Sequence, residues 1–368
     1  MDRFLIAIVF ALSGALSQAA PLGLPEVPIP PDNPQTDAKV KLGDKLFHDK
    51  RFSATGEVSC STCHDRKKGF TDNLRVSEGI NKLTGTRNAP TVINAAYMHT
   101  QFWDGREPDL EGQSKQPPLN PVEMGLTDYE PILKIARTDP EYQAMFSDVF
   151  GKSGHEITID DVAMAIAAFE RTIIAGDSPF DSYLYAGDKQ ALTESQQRGL
   201  QLFMGEARCV SCHTIEQTQA LFTDNRFHNI GVGFKRLRGK EAATAEQFVK
   251  SKQEGANVDV TVLTMENMSE LGRFAVTENM TQVGAFKTPT LRNVEVTAPY
   301  MHDGSVETLE DVITFYKNGG RELKTDPLSP FLSGGIRPLD LTKQDEKDLV
   351  NFMKALTSPE YAALAKKD

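Results

Sequence analysis

Cys60–Ser61–Thr62–Cys63–His64 and Cys209–Val210–Ser211–Cys212–His213 are two copies of one pattern, C-x-x-C-H. That pattern is the attachment signature of c-type haem. Two thiols add to the two vinyl groups on one porphyrin edge, and the histidine that follows at once brings an imidazole to the iron. The competing readings are a zinc site and a disulfide framework. Zinc usually takes four ligands from paired C-x-x-C knuckles without a fixed terminal histidine. The chain has 4 cysteines, all of them used by the two copies. Two covalent haem c groups, one per copy, is therefore the expectation.

Working outward, each copy is preceded by a short repeat. Gly43-x-x-Leu46–Phe47 stands before the first and Gly199-x-x-Leu202–Phe203 before the second. A five-residue likeness is weak alone and gains weight from recurring in the same place. Thr193 with Gln196 forms a capping box that starts a helix running into the second copy. Each half also closes on an amphipathic helix. Thr158 with Asp161 opens one carrying Val162, Ile166, Phe169 and Ile173 at helical spacing, and Thr342 with Asp345 opens the other, with Leu349, Phe352, Met353 and Leu356. A leading helix, a C-x-x-C-H and a closing helix is the plan of a small cytochrome c domain. The fold expected is mainly α, with two cytochrome c-like domains, residues 21–180 and 181–368, divided near 177–187. Residues 235–284 are polar, with few periodic apolar positions, and read as a long insertion.

The length of 368 residues suits two domains. The net charge is −11 at pH 7 with no basic run, which argues against nucleic acid and anionic membrane surfaces as partners. Residues 1–20 read as a secretory signal: Arg3 in a short leading region, an apolar run over 4–16, and small residues at Ser17 and Ala19. That apolar run is too short for a bilayer core of about 30 Å. A periplasmic protein with no membrane span is expected. The proline-rich residues 21–34 read as an extended lead-in.

Further motifs carry a resemblance. Gln101–Phe102–Trp103–Asp104–Gly105–Arg106 and Asn120–Pro121–Val122–Glu123–Met124 are similar to segments of the bacterial di-haem cytochrome c peroxidase family. So are Lys287–Thr288–Pro289–Thr290–Leu291–Arg292–Asn293 and Pro299–Tyr300–Met301–His302–Asp303–Gly304. The likeness runs from about Leu42 to Leu356 apart from the insertion. It implies an enzyme that uses hydrogen peroxide. In ordinary members a second histidine, sixteen positions after the first C-x-x-C-H histidine, completes the first haem; here that position is Ile80. The methionine that ordinarily binds the second iron is replaced by Tyr316. Both changes resemble the MauG branch, whose members oxidise tryptophan side chains of a partner protein.

The resemblance then assigns roles. His64 and His213 are axial ligands, with Tyr316 opposite His213. The residues themselves agree on one point: Thr308 with Asp311 caps a helix on which Leu309, Val312 and Tyr316 share a face, ended by Gly319–Gly320. Phenolate stabilises oxidised iron, where methionine raises the potential. Met301, Met265, Met268 and Met280 are rival ligands. The open distal pocket of the first haem falls to Gln113, Pro117 and Glu123, with Glu123 as acid–base. Trp103, the 1 tryptophan of the chain, lies between the haems as an electron relay. A calcium ion is implied at the Asn88 side chain and the carbonyls of Thr297 and Pro299. The outcome the resemblance implies is a high-valent di-haem state that oxidises a protein partner at tryptophan. The alternative is reduction of peroxide with electrons from a small cytochrome or cupredoxin. MauG also carries a surface tryptophan just before its second C-x-x-C-H, where this chain reads Glu206–Ala207–Arg208.

Overall fold

The computed structural model describes residues 20–365; the expected signal segment lies outside the described residues, save for its last position. The chain is mainly helical. Helix α1 (Asp37–Phe47) crosses α2 (Ile159–Glu170) in the N-terminal half. In the C-terminal half α3 (Glu194–Met204) crosses α5 (Lys343–Lys354), with α4 (Leu309–Lys317) against α5. The two crossings are built alike. A Cβ at Gly43 would collide with the Ala165 carbonyl oxygen, and one at Gly199 with the Asp348 carbonyl oxygen. One turn on, Phe47 meets Phe169 at 5.2 Å between ring centroids and Phe203 meets Phe352 at 5.1 Å. Only a residue without a side chain lets these helix backbones touch, and close packing leaves no slack for one. The G-x-x-L-F repeat is thus the contact that shuts each half.

The capping boxes form as the sequence predicts. The Asp161 carboxylate accepts the Thr158 amide at 2.8 Å, and Asp345 accepts the Thr342 amide at 2.8 Å. Each satisfies a donor that the first turn leaves open. Ile173 departs from the expectation, because α2 ends at Glu170 and Ile173 packs in a separate cluster with Phe70 and Tyr361.

Two main apolar cores result. One gathers Leu42, Phe47, Tyr142, Phe146 and Val162; the other gathers Phe180, Phe203, Phe222, Leu349 and Phe352. The lead-in ties them together, since Pro25 O accepts the Tyr97 hydroxyl at 2.9 Å and Gly23 O accepts Arg292 Nη2 at 2.7 Å. Sheet is confined to β1 (Phe227–His228) and β2 (Phe286–Lys287), antiparallel, among the described residues.

The polar insertion folds as a helical cap with a core of its own. Phe248, Val262, Leu263, Met268, Leu271 and Phe274 are buried together. Polar bonds fasten it to the N-terminal half: Arg87 Nε donates to Ser269 Oγ at 3.0 Å, and Arg273 Nη1 donates to Gly105 O, beside Trp103, at 2.7 Å.

Candidate functional site

A void of about 530 Å³ lies at the second C-x-x-C-H motif, walled by residues of both halves, within the roughly 300–1,000 Å³ of small-molecule and cofactor sites. Cys209, Cys212 and His213 line it, as do the apolar Leu309, Leu349 and Met353. All four cysteines are free thiols. His213 Nδ1 lies 2.9 Å from the Phe222 carbonyl oxygen, and His64 Nδ1 lies 3.3 Å from that of Phe70. A ring whose Nδ1–H is tied to a carbonyl presents Nε2 as the free donor to a metal. Burial holds both imidazoles below the usual histidine range, so they are neutral and ready to ligate. Unpaired thiols, oriented neutral histidines and an apolar wall fit haem in chemistry and, at the second motif, in size.

Tyr316 lines the same void from α4, on the face that also presents Leu309, Val312 and Ile313. Among the described residues its hydroxyl makes no hydrogen bond, although burial and then the neighbouring Cys209 and Cys212 push the phenol well up. Of the rival methionines, Met268 is buried in the cap core and Met265 and Met280 are exposed, 41% and 38%. Met301 lines the void, as does Met353, which the sequence reading had only as a packing residue.

In the N-terminal half Ile80 is apolar core, 8% exposed, and its amide donates to the Glu123 carbonyl at 2.8 Å. Glu123 sits on a tight turn, with its Oε2 buried and without a hydrogen-bond partner. Burial first, then the charge of Asp259, pushes its carboxyl up to about 8, against the pull of Arg106. Cys63 is within its field: burial and then the Glu123 charge raise that thiol to about 12. Pro117 O accepts the amides of Asn120 and Met124 on either side of Glu123, at 3.2 and 3.3 Å. Gln113 lies one short helix earlier, half-buried, and its side chain makes no hydrogen bond among the described residues.

Trp103 and the expected calcium residues meet at the void, where Trp103, Asn88, Thr297 and Pro299 are all on the wall. The indole Nε1 donates to Asn88 O at 2.9 Å, and the Trp103 carbonyl accepts the Lys287 amide at 2.7 Å. Asn88 Nδ2 donates to Leu74 O at 2.9 Å.

The sequence reading assigned no role to four polar features. Arg106 bridges Asp104 and Asp259 of the cap. His302 Nε2 and Glu270 Oε2 are 3.0 Å apart, with Arg236 against Glu270 and Asp303. Glu170 is buried near Cys60, its Oε2 unpartnered, and burial pushes it up to about 8. His228 lines the void and lies 2.7 Å from Asp224. Asp104, Arg106, His302 and Asp303 stand in the motifs quoted above; Asp259 and Glu270 reach them from distant stretches.

The family described as di-haem cytochrome c peroxidase matches residues 37–190. A cytochrome-c peroxidase, IdrP1, of Denitromonas iodatirespirans is 36% identical, covering 96% of this chain and 91% of its own. The methylamine utilization protein MauG of Methylorubrum extorquens is 33% identical, covering 90% of this chain and 81% of its own. The crystal structure of a MauG-like protein associated with microbial copper homeostasis superposes with a TM-score of 0.74, at 34% identity over 98% of both chains. No helix among the described residues is long and apolar enough to cross a membrane. With two C-x-x-C-H sites, each with its histidine oriented for iron, the chain belongs to the di-haem cytochrome c peroxidase family of haem-dependent, peroxide-using oxidoreductases.

Proposed function

We propose that the chain is an exported, periplasmic enzyme with one covalent haem c in each of two cytochrome c-like domains. It uses hydrogen peroxide to oxidise a protein partner at tryptophan, as the MauG branch does. One observation carries the reading. Tyr316 lines the void with His213 and its hydroxyl makes no hydrogen bond among the described residues, while the sixth-ligand position that the family implies for the first half is the core residue Ile80. With haem bound, the first site would be left open to peroxide, and the second would gain a hard anionic donor that favours oxidised iron.

When bound, the haems supply the electron chemistry that splits peroxide and stores its two oxidising equivalents. The chain's own residues do the rest. Cys60, Cys63, Cys209 and Cys212 would hold the rings, and His64, His213 and Tyr316 would supply ligands to iron. Glu123 Oε2, with no protein partner to satisfy it, takes a proton from one peroxide oxygen and returns it to the departing one. Pro117 and Gln113 shape the wall beside it. Trp103, fixed by its Asn88 bond, stands on the path between the two sites. Calcium at Asn88, Thr297 and Pro299 would stiffen that same anchor.

A second reading is reduction of peroxide to water with electrons from a small cytochrome or cupredoxin. The absence of an aromatic residue at Glu206–Ala207–Arg208 favours it. Stopped-flow absorption of the fully ferric protein with stoichiometric peroxide and no reductant separates them. Rapid change at both haems supports the first reading. No reaction until one haem is reduced supports the second.

A further inference from the structure

The cap reaches the turn that carries Glu123 through one carboxylate. Asp259, on the short cap helix Val258–Thr264, is 5% exposed. Its Oδ1 accepts from Arg106 Nε at 2.9 Å, and its Oδ2 accepts from Asn120 Nδ2 at 2.6 Å. Arg106 is held from the other side by Asp104 at 3.0 Å, and its guanidinium lies 3.5 Å from the Phe102 ring centroid. Asn120 fastens the turn that carries Glu123. Its Oδ1 accepts the Val122 amide at 3.1 Å, and its carbonyl accepts the amides of Glu123 and Gly125 at 3.1 and 2.9 Å. A continuous run of bonds therefore leads from the cap to the backbone of Glu123.

We propose that Asp259 is a positioning residue for Glu123: through it the cap fixes the turn at residues 120–125 and sets the charge beside the proton-carrying carboxylate. The inference rests on the reading of Glu123 as the acid–base residue. Three sets of groups surround Glu123: Asp259 from the cap, Arg106 with Asp104 behind it from the Trp103 loop, and Cys60 and Cys63 of the first attachment motif. The cysteines carry no charge once joined to haem. Asp259 and Arg106 are then the opposed charges that decide how readily Glu123 ionises. Loss of the Asp259 charge removes a repulsion and leaves Arg106 less neutralised. Both changes favour the Glu123 carboxylate, so it forms at lower pH.

The test uses the di-haem protein with D259N and D259A, and reads two things. One is hydrogen exchange of the backbone amides at residues 120–125; the other is the pH dependence of the peroxide reaction. D259N keeps one acceptor oxygen without the charge. Its reaction is expected to rise at a pH lower by about one unit, the lower end of the shift from a neighbouring charge, with exchange only modestly faster. D259A loses both acceptors, and exchange at residues 120–125 is expected to speed about tenfold, the rate effect of one lost hydrogen bond to a charged group. An unmoved pH profile in D259N, or unchanged exchange in D259A, overturns the proposal. Should D259A not fold, D259N alone decides it by its pH profile. E123Q is run beside them: if it reacts like the parent at every pH, the reading of Glu123 falls, whereas the exchange result still decides whether Asp259 holds the turn.

Discussion

The two halves of this molecule share their scaffolding and differ on one side of each haem site. Both close on a glycine whose missing side chain lets two helices touch, Gly43 against Ala165 and Gly199 against Asp348. Both tie the histidine Nδ1 to a carbonyl. Elsewhere they part. The N-terminal half offers Ile80 and a Glu123 Oε2 without a hydrogen-bond partner among the described residues; the C-terminal half offers Tyr316, whose hydroxyl makes no hydrogen bond among them. On the proposed reading the shared parts would hold a ring in place, and the unshared parts would decide whether its iron is open or closed.

The comparison can be broken from either side. The largest effect is expected from Tyr316→Phe, which removes the proposed ligand and leaves the helix intact. Peroxide added to the ferric variant should change the N-terminal haem alone, with the near-infrared band of shared charge lost. Next comes Glu123→Gln. The peroxide reaction should slow by about 10²–10⁴, the usual worth of a positioned acid–base group. The parent should also show a pH dependence that the variant lacks. Glu123 is pushed up to about 8, so the reactive carboxylate accumulates as pH rises through that value, and the parent rate should rise with it.

Ile80→His would make the halves more alike. It offers the first iron a sixth ligand, so the ferric protein should become six-coordinate at both haems and react with peroxide only after partial reduction. The smallest effects concern the shared scaffold. Gly43→Ala and Gly199→Ala each force a methyl into a helix crossing and should cost about 1–3 kcal/mol, the usual penalty of overpacking. Denaturant unfolding of the holoprotein should show similar losses for the two. A much larger loss at one would show that the crossings are not equivalent.

What the sequence disclosed follows from how local its signals are. Capping boxes at Thr158, Thr193 and Thr342 and the face holding Leu309, Val312 and Tyr316 are all read within a turn or two of helix, and each stands as expected. The unlike distal sides came from family register, because a tyrosine on a helix face is usually core. The cap was illegible. Its 13-residue helix buries only Thr244, Ala245 and Phe248, its helices of 7 and 4 residues are too short to show a period, and the rest of its core comes from residues between them. Asp259 joins Arg106 across a separation of 153 positions. Nothing in the neighbourhood of either residue foretells that pairing, so the link from the cap to the turn that carries Glu123 could be seen only once the chain was folded.

The central claim is one open iron beside one closed by tyrosine, and the most direct test is electron paramagnetic resonance of the resting ferric protein and of Tyr316→Phe. The account predicts one high-spin, five-coordinate signal and one six-coordinate signal in the parent, with the six-coordinate signal lost in the variant. Two six-coordinate signals in the parent, or survival of that signal in Tyr316→Phe, would contradict it.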